Sequence, residues 1–310
     1  MTAQVTAVQQ APSCILGEGP FWEAGAGRLL WVDIVGRQVH ALEPKTGLNR
    51  QWATPKLVSA AVPARSGALM LAMQDGVYRF DPEQETLRLF CRADANPENR
   101  SNECRCDPQG RLWLGTMQNN IAPNGAPRPV TRFTGGLFVV GPDGLSRRLL
   151  GDIGVANTLA WSPEGERLYF ADSRRKLIWR FRYDPEGPTL HDQEVFVEGG
   201  PGVPDGSAMD ADGFLWNARW GAACLIRYAP DGRADRIIDV PARQPLQLRV
   251  RGRGHENPLR DDRPARPGRS VGGPLRRPPA AAPRRNARSA APGLRRVTQD
   301  ARLALVRPGL

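Results

Sequence analysis

Gln109-Gly110-Arg111-Leu112-Trp113 is a turn followed at once by an apolar run, and it is one of five such phrases in the chain. The others are Ala26-Gly27-Arg28-Leu29-Leu30-Trp31, Ser66-Gly67-Ala68-Leu69-Met70, Gly165-Glu166-Arg167-Leu168-Tyr169 and Asp212-Gly213-Phe214-Leu215-Trp216. The copies return at roughly 40 to 55 residues, the period of a four-stranded propeller blade and too long for helical-pair repeats of the TPR or ankyrin type. After each copy comes a second run that alternates and ends in another turn, as in Gly76-Val77-Tyr78-Arg79-Phe80-Asp81-Pro82 and Leu177-Ile178-Trp179-Arg180-Phe181-Arg182-Tyr183-Asp184-Pro185. Alternation at i and i+2 is the mark of hairpin strands. The expectation is therefore an all-β propeller domain over residues 1–245. A sixth copy is due near residue 260, and it is absent.

Residues 246–310 differ in kind. Leu246 to Leu310 hold sixteen arginines and four acids, a net of +12 against +11 for the whole chain, which leaves −1 for Met1 to Pro245. The segment has no Phe, Trp, Tyr or Lys and contains runs such as Leu275-Arg276-Arg277-Pro278-Pro279-Ala280-Ala281-Ala282-Pro283-Arg284-Arg285. Such a composition buries too little apolar surface to offset its ordering entropy, so an irregular tail is expected in place of a last blade. Two readings stand. A basic, proline-rich arm is compatible with counterion-driven binding to nucleic acid. Arginine, alanine, proline and glycine are also what GC-rich DNA encodes out of frame. Taking the second and third bases of each codon with the first base of the next, codon degeneracy lets Val250 become Phe. In the same frame His255 to Pro264 become Met-Lys-Thr-Leu-Tyr-Val-Thr-Thr-Ala-Arg, a strand with the character of the missing repeat. A shift of frame near Pro245, in the gene or its sequencing, is the reading preferred here, and nucleic acid is not expected as a partner.

The body excludes several chemistries. Only His40 and His191 lie outside the tail, and GxSxG, P-loop and GxGxxG motifs are absent, which removes most support for a Ser-His-Asp hydrolase, a His-ligated zinc site or a dinucleotide fold. Five cysteines (Cys14, Cys91, Cys104, Cys106, Cys224) are odd in number and form no CxxC pair, which fits a reducing compartment. Cys104 and Cys106 share a face of an extended strand and read as packing thiols, not as a metal site. The first eleven residues lack a basic region followed by an apolar core, and no stretch approaches the length of a membrane span. The expectation is a cytoplasmic monomer with no membrane partner.

What remains for chemistry is carboxylates, amides, arginines and a hard metal ion. Three segments offer such groups beside apolar runs: Leu16-Gly17-Glu18-Gly19-Pro20-Phe21-Trp22, Gly154-Val155-Ala156-Asn157-Thr158-Leu159-Ala160-Trp161-Ser162-Pro163, and Gly202-Val203-Pro204-Asp205-Gly206-Ser207-Ala208-Met209-Asp210. Taken singly, each is also an ordinary turn acid or turn amide. Together they read as standing just before strands of different blades, where blade ends converge on one axis, and they form an all-oxygen set suited to calcium, magnesium or manganese. Asp210-Ala211-Asp212-Gly213 looks faintly like a calcium loop, but without downstream ligands it reads as a hairpin turn.

The segment Asn99-Arg100-Ser101-Asn102-Glu103-Cys104-Arg105-Cys106-Asp107-Pro108-Gln109-Gly110-Arg111-Leu112-Trp113-Leu114-Gly115-Thr116-Met117 resembles the NRxND…DPxGRxWxGTM signature of the regucalcin (senescence marker protein), gluconolactonase and sugar lactonase family. Glu18 in GEGP, Asn157 before LAWSP and Asp205 in PDG fit the same pattern, so the resemblance runs from about Ser13 to Arg243. It implies a six-bladed propeller that holds one divalent ion (calcium, magnesium, manganese or zinc) through Glu18, Asn157 and Asp205. It further implies hydrolysis of an aldonolactone, with Asp205 handling the attacking water and with Arg100, Asn102 and Asn120 at the substrate. The other function the resemblance admits is a calcium-binding regulatory protein without significant turnover, and a frameshifted chain would be an inactive product. Three departures stand out. Asn120 occupies the place of a family glutamate, which makes the site less negative. Glu103-Cys104 replaces Asp-Gly, and Thr158 replaces a common Gly after the metal asparagine; both are expected to touch loop geometry more than ligand identity.

Overall fold

The computed structural model describes residues 11–242 and 244–246. Twenty strands form five antiparallel four-stranded sheets, each built in chain order from the axis outward. Blade 1 is β1 (Gly17–Glu23), β2 (Arg28–Asp33), β3 (Gln38–Glu43) and β4 (Leu48–Ala53). Blade 2 is β5 (Val58–Pro63), β6 (Leu69–Met73), β7 (Gly76–Asp81) and β8 (Thr86–Cys91). Blade 3 is β9 (Asn99–Cys106), β10 (Leu112–Gln118), β11 (Gly135–Val140) and β12 (Ser146–Ile153). Blade 4 is β13 (Ala156–Trp161), β14 (Arg167–Asp172), β15 (Leu177–Asp184) and β16 (Thr189–Glu198). Blade 5 is β17 (Val203–Met209), β18 (Leu215–Trp220), β19 (Cys224–Tyr228) and β20 (Ala234–Asp239). No helix among the described residues is long and apolar enough to cross a membrane.

The five turn-then-apolar phrases are the hairpins that lead into the second strand of each blade. Blades 2, 3 and 4 each have a blade on either side, and there the second strands are buried on both faces: β6 and nearly all of β10 are buried along their length. Exposure rises toward the rim, where β4 exposes four of its six residues and β8 three of its six. The turns are pinned by an aspartate that recurs. Asp107 accepts the Gln109 and Arg111 backbone N–H groups and the Trp113 indole N–H, and Asp210 does the same with Asp212, Phe214 and Trp216. Asp210 thus belongs to a hairpin turn, as expected.

Four apolar clusters each join adjacent blades: Leu30 and Val39 with Val58 and Leu71, Met70 with Leu112 and Phe138, Trp113 with Phe170, and Tyr169 with Leu215. Two further clusters lie within single blades, Trp216, Ala218 and Ile238 in blade 5 and Cys14, Trp31 and Leu42 in blade 1. The carbonyl of Leu246 accepts the Gly206 N–H at 2.7 Å, so the chain returns beside β17 where the description ends. The expected irregular tail in place of a sixth blade lies outside the described residues. All five cysteines are free thiols.

Candidate active site

The first strands of the blades pack side by side in chain order around the axis. Each pairs with its second strand through one surplus residue. The register slips between Glu18 and Phe21, between Val58 and Ala60, between Ser101 and Cys104, between Asn157 and Leu159, and between Pro204 and Ser207. A bulge of this kind bends the strand and re-aims a side chain that regular pleating would send elsewhere. The sequence reading set Glu18, Asn157 and Asp205 just before strands. The structure sets them inside, as the second residue of β1, the second of β13 and the third of β17, in each case at the bulge.

Arg100 and Asn102 come from the bulged β9, and Asn120 from the loop after β10. The Arg100 guanidinium donates to Asn120 Oδ1 from Nε at 2.9 Å and from Nη2 at 2.8 Å, and from Nη1 to Asn102 Oδ1 at 2.7 Å and to the Ser101 carbonyl at 2.8 Å. These bonds use four of its five N–H groups. Asn102 Nδ2 donates onward to Asn157 Oδ1 at 3.1 Å and to the Ala156 carbonyl at 2.8 Å. A polar chain therefore runs from Asn120 through Arg100 and Asn102 to Asn157. The orientation of Asn157 follows from its other partner. Ser173 Oγ gives its only proton to the Pro204 carbonyl at 2.6 Å, so at 2.9 Å it accepts from Asn157 Nδ2, and the Asn157 amide oxygen faces the other way.

Charge is concentrated here. Burial first, then the Glu103 carboxylate, pushes Glu18 up to about 8, against the pull of Arg100 and Arg105. Asp205, only 6% exposed, sits well above the usual carboxylate range because of burial, then Glu18, then Glu103. Burial draws Arg100 down to about 10 although Glu18 and Asp205 oppose it. Two carboxylates that disfavour each other's charge, together with an amide oxygen turned away from its anchor, make a donor set that fits a hard divalent cation. Among the described residues no three His, Cys, Asp or Glu side chains cluster as a metal site, so an ion held by Glu18 and Asp205 would complete its shell with amide or water oxygens. The Cys104 thiol is buried and pushed well up by that burial, in keeping with a packing role.

One expectation needs correcting. The sequence suggests a loop-geometry role for Glu103, but it lies in β9, is 4% exposed, pairs with Arg105 at 3.3 Å, and acts electrostatically on both Glu18 and Asp205. The sequence reading also passed over Ser173, Ser207 and Asn217, which hold the backbone and side chains of the site. Asn217 and Ser207 are polar residues inside strands, as in Leu215-Trp216-Asn217-Ala218, whereas Ser173 stands in the turn just after β14.

A family model described as SMP-30/Gluconolactonase/LRE-like region matches residues 16–254. Pentonolactonase XacC of Haloferax volcanii is 32% identical over 234 residues, which cover 74% of this chain and 75% of that protein. L-arabinolactonase of Azospirillum brasilense is 31% identical over 242 residues, 77% of this chain and 78% of that one. Among solved structures, one described as a calcium-binding protein, regucalcin, from Agrobacterium tumefaciens is 30% identical with a TM-score of 0.74, covering 81% of this chain and 83% of that one.

Proposed function

This chain belongs to the SMP-30/Gluconolactonase/LRE-like family, and from that membership together with its site we propose that it hydrolyses a sugar lactone to the sugar acid with one divalent cation. The observation that supports the reading is that Glu18, Asn157 and Asp205 each sit at the bulge of a first strand, in three blades whose first strands line one axis, with the Glu18 carboxylate acting on Asp205. When bound, the ion supplies Lewis-acid polarisation of the lactone carbonyl. Asp205 takes the proton of the attacking water. Arg100 is fixed by Asn120 and Asn102 before substrate arrives, so its remaining N–H and the two amides are ready for ring and exocyclic hydroxyls at little entropic cost. Asn120, a neutral acceptor, leaves the guanidinium charge less compensated than a carboxylate would. Cytoplasmic placement, where the free thiols persist, completes the reading.

A pH-stat assay with aldonolactones tests it. Acid release should stop in chelator and return with calcium, magnesium, manganese or zinc; undiminished turnover in verified metal-free protein overturns it. Arg100→Ala should mainly raise KM, as expected for a group that holds ground and transition states alike. The second reading, a calcium-binding regulatory protein, is favoured by the description of the Agrobacterium relative. Calcium binding without lactone turnover would select it.

The proposal extends to the chain's end. A six-bladed ring needs an occupant between the single-blade clusters of blades 5 and 1, and unpaired sheet edges are a liability. On the frameshift reading the chain as written is poorly soluble or inactive, restoring the shifted frame after Pro245 recovers a stable lactonase, and the turnover and ion-binding tests are made on that restored protein. Full activity of the chain as written overturns the frameshift.

A further inference from the structure

Thr158 is a β-branched residue with φ 49°, a conformation that L side chains other than Asn and Asp seldom adopt. It is the surplus residue of the β13 bulge, directly after Asn157, and it is 0% exposed. Its hydroxyl donates to the Asp205 carbonyl at 2.5 Å. That proton being committed, the 2.9 Å contact between Thr158 Oγ1 and Ser207 Oγ runs from Ser207 to Thr158. Asn217 Nδ2 closes the ring, donating to Ser207 Oγ at 2.9 Å and to the Asp205 carbonyl at 3.0 Å. Both lone pairs of the Asp205 carbonyl are therefore held, one from blade 4 and one from blade 5, and all three donors are wholly buried.

Resting on the proposed function, we infer that Thr158 is a positioning residue: its hydroxyl ties the backbone of Asp205 to the residue after Asn157, and so sets the spacing of two ion-holding side chains that belong to different blades. The strained backbone persists because a closed, buried ring of hydrogen bonds over-determines it. Glycine at this place would relax φ but could not hold Asp205. The ring explains how threonine is accommodated where glycine would be the simple choice.

Three full-length variants separate the hydroxyl from shape and strain. Thr158→Ser keeps the hydroxyl, Thr158→Val keeps the shape without it, and Thr158→Gly removes both hydroxyl and strain. Titration with manganese should give dissociation constants about 10-fold weaker or more for the Val and Gly variants, the usual cost of losing an outer partner of a metal ligand, and a value close to wild type for Ser. Amide hydrogen exchange in chelator supplies a readout that needs no ion. Exchange across Val203–Met209 should quicken in Val and Gly but not in Ser, with Arg28–Asp33 unchanged in all as the folding control. Wild-type exchange across Val203–Met209 in the Val and Gly variants overturns the inference. Failure of wild-type protein to bind manganese would sink the functional reading instead, and the exchange result would still decide the role of Thr158.

Discussion

Blades 1 and 4 solve one problem in two ways. Each places a candidate ion ligand at a bulge and follows it with a left-handed residue: Glu18 then Gly19 at φ 58°, Asn157 then Thr158 at φ 49°. The loops that lead in are anchored alike. Asp33 accepts the N–H groups of Ile15 and Leu16 at 2.8 and 3.0 Å, and Asp172 those of Gly154 and Val155 at 2.9 and 3.1 Å. The bulges themselves differ. At Gly19 a Cβ would meet the Ser59 carbonyl at 3.1 Å and Ala60 Cα at 3.3 Å, so blade 1 uses an absent side chain to bring blade 2 close. Blade 4 uses a present one, whose hydroxyl reaches into blade 5. The same backbone can thus be specified by permissiveness or by a buried polar bond, and only the second couples neighbouring ligands.

The largest expected effect falls where that coupling ends. Asp205→Asn keeps the backbone that Thr158 grips but loses the carboxylate, so turnover should fall about 10²–10⁴-fold with a smaller change in substrate binding. Steady-state kinetics decide it, and wild-type turnover would move the base elsewhere.

Next come the shared anchors. Asp33→Ala and Asp172→Ala should each cost about 2–3 kcal/mol in urea denaturation, because in each case two backbone N–H groups lose the acceptor of a buried carboxylate. Markedly unequal losses would mean that the two blades are not anchored alike. A smaller pair tests the bulges directly. Gly19→Ala should destabilise by about 1–2 kcal/mol from the left-handed backbone alone. Thr158→Gly should change stability by less than about 1 kcal/mol, since strain relief offsets the lost bonds and the added chain entropy of glycine. If the two substitutions cost the same, the contrast between the blades fails.

A test that needs no substitution is pH. Glu18 is pushed up to about 8 in the folded protein, whereas an unfolded glutamate titrates near 4.3 or so. Between those values the folded state binds a proton that the unfolded state does not, so this contribution to stability is complete at the acid end and lost as pH rises toward about 8. Melting temperature in chelator should therefore decline across that window from this group, and saturating calcium should flatten the decline. A melting temperature that calcium leaves unchanged throughout would separate Glu18 from the ion.

The sequence alone determined the repeat, because a turn followed by an apolar run is local chemistry that each blade must restate. It determined the class of fold and, through the NRxN, GEGP and PDG motifs, which side chains to watch. Alternation in the second strands was not there to read, since β6 and β10 have neighbours on both faces; β6 is apolar throughout, and β10 is apolar but for Gly115, Thr116 and Gln118. Tertiary structure alone decided where the surplus residue of each first strand falls. A bulge is a relation between two strands, and one residue of slip turns a side chain from one face to the other. Glu103 therefore looked like loop variation until pairing aimed its charge at Glu18 and Asp205. Thr158 likewise looked like a tolerated replacement until its hydroxyl was seen on a carbonyl 47 residues away.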